Sequence, residues 1–245
     1  MNNKLGIRKD DWEELIKKYP NQKRLIKKIN NGYPVQYLLE KTNFYGYMLF
    51  VNKNVLIPRY ETETLIENTI TYLKELDLTS ANLIDIGTGS GAIAITLKKE
   101  LPNLNITALD ISRKALKVAK KNAKLNNVLI NFLKKDIFKY ELPQNISVII
   151  SNPPYIEEDS NFSPNILFEP AKAIFVSNKN PLIYYQRILE ISKDKLTPNH
   201  LIGFEIDEDH GKELVNLAKK YYPFDKVILK QDLTGKDRYL FIISE

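Results

Sequence analysis

The most informative chemical pattern in this 245-residue sequence is a rigid polar turn that follows an apolar run. The run VIIS leads directly into Asn152-Pro153-Pro154-Tyr155. Two consecutive prolines fix their own φ angles, remove two backbone donors and favour extended geometry in each preceding residue. The turn therefore offers two acceptors, the Asn152 side-chain oxygen and the Pro153 carbonyl, beside the flat face of Tyr155. Such a set suits a planar NH₂ group on an sp² carbon.

A second motif, DIGTGSG, places Gly87, Gly89 and Gly91 between an apolar run and a predicted helix start. Small residues there let the backbone approach a ligand, and a helix N-terminus favours an anionic group. Asp110 ends the next predicted strand, where its carboxylate can accept hydrogen bonds from ribose hydroxyls. The motif indicates an adenosine-containing cofactor. It fits both S-adenosylmethionine and NAD, because Gly87, Gly89 and Ala92 also match the dinucleotide pattern G-x-G-x-x-A.

The polar turn favours S-adenosylmethionine, because hydride transfer has no use for this pair of acceptors. Methyl transfer to a planar nitrogen is an in-line displacement that depends on positioning, polarisation and exclusion of water. It requires no strong general base, which fits a chain whose histidines are His200 and His210. Asp136 has two interpretations. It accepts from an adenine amino group while Ile137 and Phe138 cover the ring, or it is an ordinary aspartate after a strand.

Strands that alternate with helices are expected to position these residues. The predicted strands after residue 81 are ANLIDIG, ITALD, VLINFL, ISVIIS, LIGFEI, KVILK and YLFIIS. Helices are predicted between them, and an irregular stretch over 156–180. The alternation predicts an α/β fold with a seven-stranded, mostly parallel sheet and helices on both faces. Only the turn QDLTGKD separates the last two strands, so we expect them to pair antiparallel at one end of the sheet.

A short helical module is predicted ahead of the sheet. It has apolar residues at i, i+3, i+4 and i+7, namely Trp12, Leu15, Ile16 and Tyr19. A β-hairpin is predicted around Gly46, and a helix over 60–76. We therefore divide the chain into a helical module over 1–32, a hairpin linker over 33–59 and a catalytic domain over 60–245.

Composition narrows the possible functions further. The sequence has no cysteine, which excludes disulfides, thiol nucleophiles and Cys-ligated zinc, and we expect no metal site. It also has no apolar run long enough to cross a membrane and no secretory signal, so we expect a soluble, cytoplasmic protein. Residues 1–32 carry 9 basic and 4 acidic side chains, whereas residues 33–245 carry 27 and 26. The basic N-terminal segment is either a solvated surface or a contact for an anionic partner such as RNA.

With both motifs in place, the chain resembles the release-factor glutamine methyltransferase family (HemK/PrmC type), which has a class I, Rossmann-like methyltransferase fold. The resemblance covers residues 33–245, in the segments PVQYLLEKTNFYG, VLIPRYETETLIE, DIGTGSGAIAI, ALDIS, SNPPYI, FEPAKAIF, FEIDEDHG and DLTGKDR. It implies S-adenosylmethionine as the cofactor. The residues expected to bind it are Gly87, Thr88, Gly89, Ser90, Gly91, Asp110, Asp136, Ile137 and Asn152.

The resemblance also implies a reaction, the methylation of the glutamine amide nitrogen in the Gly-Gly-Gln loop of class I peptide release factors. It implies Asn152, Pro153 and Tyr155 as catalytic residues, and it implies a substrate pocket formed by Asn152, Pro153, Pro154 and Tyr155. Arg59, with Glu61 and Glu63 nearby, either forms an ion pair that braces the pocket or begins a solvated helix. The helical module before Tyr33 is shorter than the family's N-terminal domain, which helps to dock the release factor.

Three alternatives stay open. A related enzyme would methylate a ribosomal-protein glutamine, or adenine amino groups in nucleic acid, and a third kind of protein would bind S-adenosylmethionine or RNA without catalysis. We expect no membrane partner. We expect no DNA substrate either, since no separate recognition domain interrupts the pattern. Indirect contact with the ribosome or with RNA, through the basic N-terminal segment, is a further hypothesis.

Overall fold

Strands and helices alternate through most of the computed structural model, which describes residues 7–157, 164–176 and 180–244. The described strands are β1 Lys41–Phe44, β2 Tyr47–Phe50, β3 Asn82–Ile86, β4 Asn105–Asp110, β5 Asn131–Lys134, β6 Ile146–Ser151, β7 Ile156–Glu157, β8 Phe175–Val176, β9 Leu196–Glu205, β10 Lys226–Gln231 and β11 Asp237–Ile243. The described α-helices are α1 Lys9–Lys18, α2 Gln22–Asn30, α3 Val35–Leu39, α4 Tyr60–Glu75, α5 Ala92–Glu100, α6 Arg113–Leu125, α7 Ile183–Ser192 and α8 Gly211–Tyr221.

Seven strands form the central sheet in the order β10–β11–β9–β6–β3–β4–β5. The five strands from β9 to β5 run parallel, and β11 pairs antiparallel with both β9 and β10. This arrangement confirms the predicted mostly parallel sheet with an antiparallel pair at one end. All six residues of β6 are buried, because helices cover both faces of the sheet.

The core lies in two layers, one on each side of the sheet. Side chains alternate along β3, so Leu83 packs in one layer while Ile84 and Ile86 pack in the other. Helices α4 and α5 contribute to the first layer, and helices α7 and α8 to the second. The layers hold the sheet rigid, which fixes the loops at its carboxyl edge.

The N-terminal helices pack on the short helix α3. Leu15 of α1 and Leu25 of α2 are buried against Leu38 and Leu39, and this apolar cluster joins the helical module to the rest of the chain. Sequence analysis did not predict α3. It has only five residues, which begin after Pro34, and this is too short for a periodic pattern to be recognised.

The predicted hairpin is present as β1 and β2, which pair antiparallel from Lys41↔Phe50 to Phe44↔Tyr47. Its two turn residues, Tyr45 and Gly46, have φ angles of 52° and 78°, as a type I′ turn requires. The predicted irregular stretch contains more structure than expected. Strands β7 and β8 pair parallel, and 3₁₀-helices span Pro164–Phe168 and Ala171–Ala173. The rest of that prediction, over 158–163 and 177–179, lies outside the described residues.

Among the described residues, no helix has both the length and the apolar character needed to cross a bilayer. Within the same ranges, no three or more His, Cys, Asp or Glu side chains converge in a way that could hold a metal ion.

Candidate active site

The loops after β3, β4, β5 and β6 meet at the carboxyl edge of the sheet. Strand β3 is the first strand of the sheet in the chain, and its neighbours β4 and β6 lie on opposite sides of it. In open α/β sheets such a point leaves a crevice where ligands bind. Both sequence motifs lie there, because DIGTGSG follows β3 and the polar turn follows β6.

The glycines of DIGTGSG have two different roles. Gly87 and Gly89 have φ angles of 78° and 56°, a conformation that side chains with a Cβ disfavour, and a Cβ on Gly87 would meet nothing within 4 Å. Open space therefore lies beside this backbone. A Cβ on Gly91 would instead lie 2.9 Å from Ile95 and 3.2 Å from Ala119, so Gly91 permits helices α5 and α6 to pack closely.

The carboxylate of Asp110 orders the same loop. One oxygen accepts from the Gly89 N–H at 2.9 Å, and the other accepts from the Ser112 N–H at 2.7 Å. Burial raises the pKa of Asp110, and the two backbone donors oppose that shift. Each carboxylate oxygen can still accept a second hydrogen bond, so two acceptor positions are left for a ligand.

A second carboxyl lies beneath the loop. Asp85 is fully buried, and its Oδ2 accepts from the Thr88 hydroxyl at 2.6 Å. Its Oδ1 is also buried, and the backbone N–H of Ala94 in α5 favours the ionised form of this carboxyl. Burial raises the pKa of Asp85 to about 7, although the Thr88 hydrogen bond favours the ionised form.

The crevice contains a cavity of about 650 Å³, which we call the larger cavity. The predicted site residues in its wall are Gly87, Gly89, Asp110, Asp136, Ile137, Asn152, Pro153 and Pro154. Three of the residues predicted to bind the cofactor, Thr88, Ser90 and Gly91, are not part of this wall. Thr88 and Ser90 are buried, and Gly91 precedes α5 as its N-cap. Asp136 accepts from the Phe138 N–H at 3.1 Å, and Phe138 packs edge to face on Tyr184 at the cavity.

A smaller cavity of about 240 Å³ also borders the polar turn. Asn152, Pro153 and Pro154 contribute to the walls of both cavities, whereas Tyr155 lines only the smaller one. Charged residues in the wall of the smaller cavity are Arg59, Glu61, Glu205 and Arg238. The polar turn, with Leu56 and Ala173, thus borders both cavities, where a group bound in one would meet a group bound in the other.

The side chains behind the turn hold it in place. The Ser151 hydroxyl donates to the Ile86 carbonyl at 2.7 Å, which joins the ends of β6 and β3. The Asn152 amide Nδ2 donates to the Thr62 hydroxyl at 3.3 Å, and that hydroxyl donates to Glu205 at 2.6 Å. Burial raises the pKa of Tyr155, so its hydroxyl stays neutral.

Comparison with known proteins agrees with this geometry. Residues 62–193 match the family model described as "Methyltransferase small domain". The chain is 42% identical over 234 residues to the release factor glutamine methyltransferase of Flavobacterium psychrophilum, with 94% of this chain and 78% of that protein covered. It is 40% identical over 212 residues to the protein of the same name from Streptococcus pneumoniae, with 85% and 74% covered.

The chain belongs to the release factor glutamine methyltransferase family.

A solved structure supports the fold of this methyltransferase. The crystal structure of a methyltransferase from Pyrococcus furiosus superposes with a TM-score of 0.58 at 20% sequence identity, with 81% of this chain and 89% of that one covered. At this identity the likeness concerns the fold, which confirms the predicted class I, Rossmann-like arrangement.

The family segment IPRYETE forms an ion pair, but with a partner that sequence analysis did not identify. Arg59 pairs with Glu169, whose carboxylate also accepts from the Ile57 N–H at 2.9 Å. Glu61 contributes to the wall of the smaller cavity, and Glu63 accepts from the Tyr45 N–H at 2.7 Å. The ion pair therefore joins the segment that contains Glu169 to the residues that precede α4, beside the smaller cavity.

Sequence analysis of this methyltransferase also missed Thr62 and Glu205. Both lie in segments that carried the family resemblance, YETET and FEIDEDHG, but neither was assigned a role. One signal was available. Glu205 ends a strand whose preceding residues are apolar, and a carboxyl that is 2% exposed is rare unless it is paired.

Proposed function

We propose that this protein transfers a methyl group from S-adenosylmethionine to the side-chain amide nitrogen of the Gly-Gly-Gln glutamine of a class I peptide release factor. One observation carries the proposal. A rigid turn with two acceptors lines both a large cavity and a small one, so two ligands can meet there. The names of the relatives support the choice of substrate.

The larger cavity suits the cofactor. Asp110 has two acceptor positions left for the ribose hydroxyls, and the open space at Gly87 admits a ligand against the backbone. Ile137 and Phe138 provide apolar cover for an adenine ring, and Asp136 lies in the same wall. When bound there, S-adenosylmethionine supplies an electrophilic methyl group on a sulfonium sulfur.

The smaller cavity suits the glutamine side chain. An amide nitrogen is a poor nucleophile because its lone pair is delocalised into the carbonyl. The Asn152 Oδ1 and the Pro153 carbonyl oxygen would each accept one of its N–H bonds, and Tyr155 would lie against the amide plane. Holding both N–H bonds aims the nitrogen at the larger cavity, which supplies the proximity and orientation on which this reaction depends.

The wall of the smaller cavity is rich in carboxyl groups. Arg59 is paired with Glu169, and Arg238 is paired with Glu208 and Asp232, while Glu61 and Glu205 add two further carboxyls. A neutral amide NH₂ group, which presents two donors, is compatible with such a wall. A bound glutamine would displace water from the acceptors, which would strengthen their interaction with the N–H groups.

One observation favours a second substrate, the amino group of adenine in nucleic acid. Exposed residues of helix α6 form a basic face, and they are Arg113, Lys114, Lys117, Lys120, Lys121 and Lys124. A duplex adenine must be flipped out of its stack, however, which requires a groove and elements that grip the helix. The described sheet carries no inserted recognition domain. Glutamine is therefore the better-supported substrate.

A release factor acts in translation, so we place the enzyme in the cytoplasm. The basic N-terminal segment, which carries a net charge of +5, suits an indirect contact with the ribosome or with RNA during this reaction.

The test is methylation by purified protein with labelled S-adenosylmethionine. Release factor, a Gly-Gly-Gln peptide, DNA, tRNA and ribosomal RNA are offered in parallel, and mass spectrometry locates the label. We expect the label on the glutamine and none on nucleic acid. Label in nucleic acid, with release factor untouched, would overturn the proposal.

Replacing Asn152 with Ala tests the role of the turn. We expect the rate of methyl transfer to fall by about 10²–10³, as when a preorganised polar group is removed from an active site. Calorimetry with S-adenosylmethionine serves as the control, since the variant keeps the remaining walls of the larger cavity. Turnover close to that of the wild type would contradict the assignment.

A further inference from the structure

A chain of hydrogen bonds leads from the polar turn to a buried carboxyl. Strands β6 and β9 run parallel with Ser151 opposite Phe204, so Asn152 and Glu205 are neighbours at the sheet edge. Thr62, in the first turn of α4, lies between them. Its hydroxyl donates to Glu205 Oε2 at 2.6 Å and accepts from Asn152 Nδ2 at 3.3 Å.

The order of donors and acceptors in these hydrogen bonds decides which end of the Asn152 amide is available to a ligand. A side-chain amide can place either its oxygen or its nitrogen toward a neighbour, and the hydrogen-bond network selects between them. The Thr62 hydroxyl has one proton, and an ionised Glu205 can only accept it. The Thr62 oxygen must then accept from Asn152, so Nδ2 faces Thr62 and Oδ1 is left for the ligand.

We propose that Thr62 and Glu205 are positioning residues, which hold the Asn152 amide oxygen toward the nitrogen that is methylated. This inference rests on the proposed function, in which Asn152 Oδ1 accepts from the substrate amide. Neither residue needs to touch the substrate. They act by removing the flipped orientation of Asn152, which would present two donors to an NH₂ group that is itself a donor.

The surroundings of Glu205 make its charge adjustable. The side chain is 2% exposed, and burial raises its pKa to about 7, while the hydrogen bonds from Thr62 and from the Asn152 amide and the charge of Arg238 of β11 favour ionisation. Glu61 of α4 has the opposite effect. The other titratable groups that interact electrostatically with Glu205 are Tyr155, Tyr185 of α7 and Tyr239 of β11, and Asp207 follows in the next loop.

Protonation of Glu205 would therefore release the Asn152 amide. A protonated carboxyl can donate to Thr62, whose own proton is then free to turn toward Asn152. Either end of the amide satisfies that arrangement. Because the active orientation requires the ionised carboxylate, kcat is expected to fall as the pH drops below about 7, the value to which burial raises the Glu205 pKa.

The experiment measures kcat and KM for a Gly-Gly-Gln peptide at saturating S-adenosylmethionine between pH 5.5 and 9. Thr62→Val removes the hydroxyl at nearly constant shape, and Glu205→Gln removes the charge. We expect each to lower kcat by about 10- to 100-fold at pH 8, with a smaller change in KM, because a misplaced acceptor acts on the reacting geometry. Thr62→Ser should restore at least half of the wild-type kcat.

Thr69→Val is the matched control. Thr69 is also a buried threonine of α4, but its hydroxyl donates to the Leu65 carbonyl of its own helix, away from the site. It should leave kcat within twofold of the wild type. Cofactor affinity by calorimetry and the melting temperature verify that each variant is folded.

The pH profile separates Glu205 from Asp85, whose pKa burial also raises to about 7. The kcat of the wild type should fall below about pH 7, and the profile of Glu205→Gln should lack this acid limb. Selective ¹³C labelling of glutamate, with Glu205→Gln to assign the resonance, should show a carboxyl that titrates near pH 7 without cofactor.

Wild-type labelling of the peptide tests the proposed function separately. If the wild type methylates the glutamine but Thr62→Val keeps kcat within twofold, the positioning role is wrong. It is equally wrong if Glu205→Gln retains the acid limb with an unchanged midpoint.

Discussion

At the scale of single residues, the site depends on acceptors that are already partly used. Each carboxylate oxygen of Asp110 accepts one backbone hydrogen bond, from the Gly89 N–H or the Ser112 N–H, and these bonds fix the carboxylate relative to the glycine loop. The same residue therefore shapes the loop and offers its two remaining positions to a ligand. A group with this double role tolerates little change, even an isosteric one.

Replacing Asp110 with Asn should weaken binding of S-adenosylmethionine by about 10- to 100-fold, since hydrogen bonds to a charged group contribute about 1.5–3 kcal/mol. The asparagine NH₂ would also face one of the two backbone donors. Calorimetry measures the dissociation constant. Asp136→Asn provides the comparison, because a similar loss there would assign Asp136 to adenine, whereas unchanged affinity would leave it a turn residue. An unchanged affinity for Asp110→Asn would remove Asp110 from the binding site.

At the scale of elements, one buried side chain joins three parts of the site. Asn122 of α6 accepts from the Phe50 N–H at 2.7 Å and donates to the Phe50 carbonyl and the Ser90 carbonyl, both at 2.9 Å. It thereby attaches the hairpin strand β2 and the glycine loop to one helix. Because its amide is fully buried, no water can replace these bonds without a rearrangement.

Replacing Asn122 with Ala should lower the free energy of unfolding by about 3 kcal/mol, because buried backbone groups lose their partners. It should also weaken cofactor binding, since Ser90 belongs to the glycine loop. Urea denaturation followed by circular dichroism measures the first effect. Asn126→Ala is the control, at the C-cap of α6. Its part-exposed amide donates to the Met48 and Asn122 carbonyls, and the substitution should cost less than 1 kcal/mol. Equal losses of unfolding free energy in the two variants would show that the Asn122 hydrogen bonds stabilise the fold no more than those of Asn126.

These contacts also explain what sequence analysis could and could not predict. Strand β6 was predicted to the residue, over ISVIIS, because burial on both faces leaves a continuous apolar run. Asn122 looks like any polar residue of an amphipathic helix, and nothing local indicates that a hairpin 72 residues away supplies its partner. The same holds for Glu169, which lies in a stretch predicted to be irregular and pairs with Arg59 across 110 residues.

The prediction of the site was limited in the same way, because contacts between distant residues leave no local signal in the sequence. The two motifs correctly located the edge of the sheet where the cavities lie, because strand ends and turn residues are local features. The different structural roles of the glycines in DIGTGSG were not predictable, since three glycines at alternate positions look equivalent in the sequence. Gly87 borders the larger cavity, whereas Gly91 lies against Ala119 of another helix, and only the tertiary packing separates these roles.

At the scale of the whole molecule, net charge conceals how the charges are distributed. Residues 33–245 carry 27 basic and 26 acidic side chains, yet α6 exposes six basic side chains and no acidic one. The protein thus has two basic surfaces, one on the N-terminal helices and one on α6. Deleting the N-terminal helices would not separate their effects, because the deletion would expose Leu38 and Leu39, which pack against Leu15 and Leu25.

Replacing charged side chains, without deleting any helix, tests which of the two basic surfaces contacts the substrate protein. Replacing Lys17, Lys23 and Lys27 with Gln removes three exposed charges from the N-terminal helices, and replacing Lys117, Lys120 and Lys124 removes three from α6. If the N-terminal surface docks the substrate protein, only the first variant should lower kcat/KM on whole release factor, by about 3- to 10-fold at low salt. The loss should fade as salt shortens the Debye length to about 8 Å, and it should be absent with a Gly-Gly-Gln peptide. Equal losses in both variants would mean that the overall field, and not a local docking surface, attracts the partner.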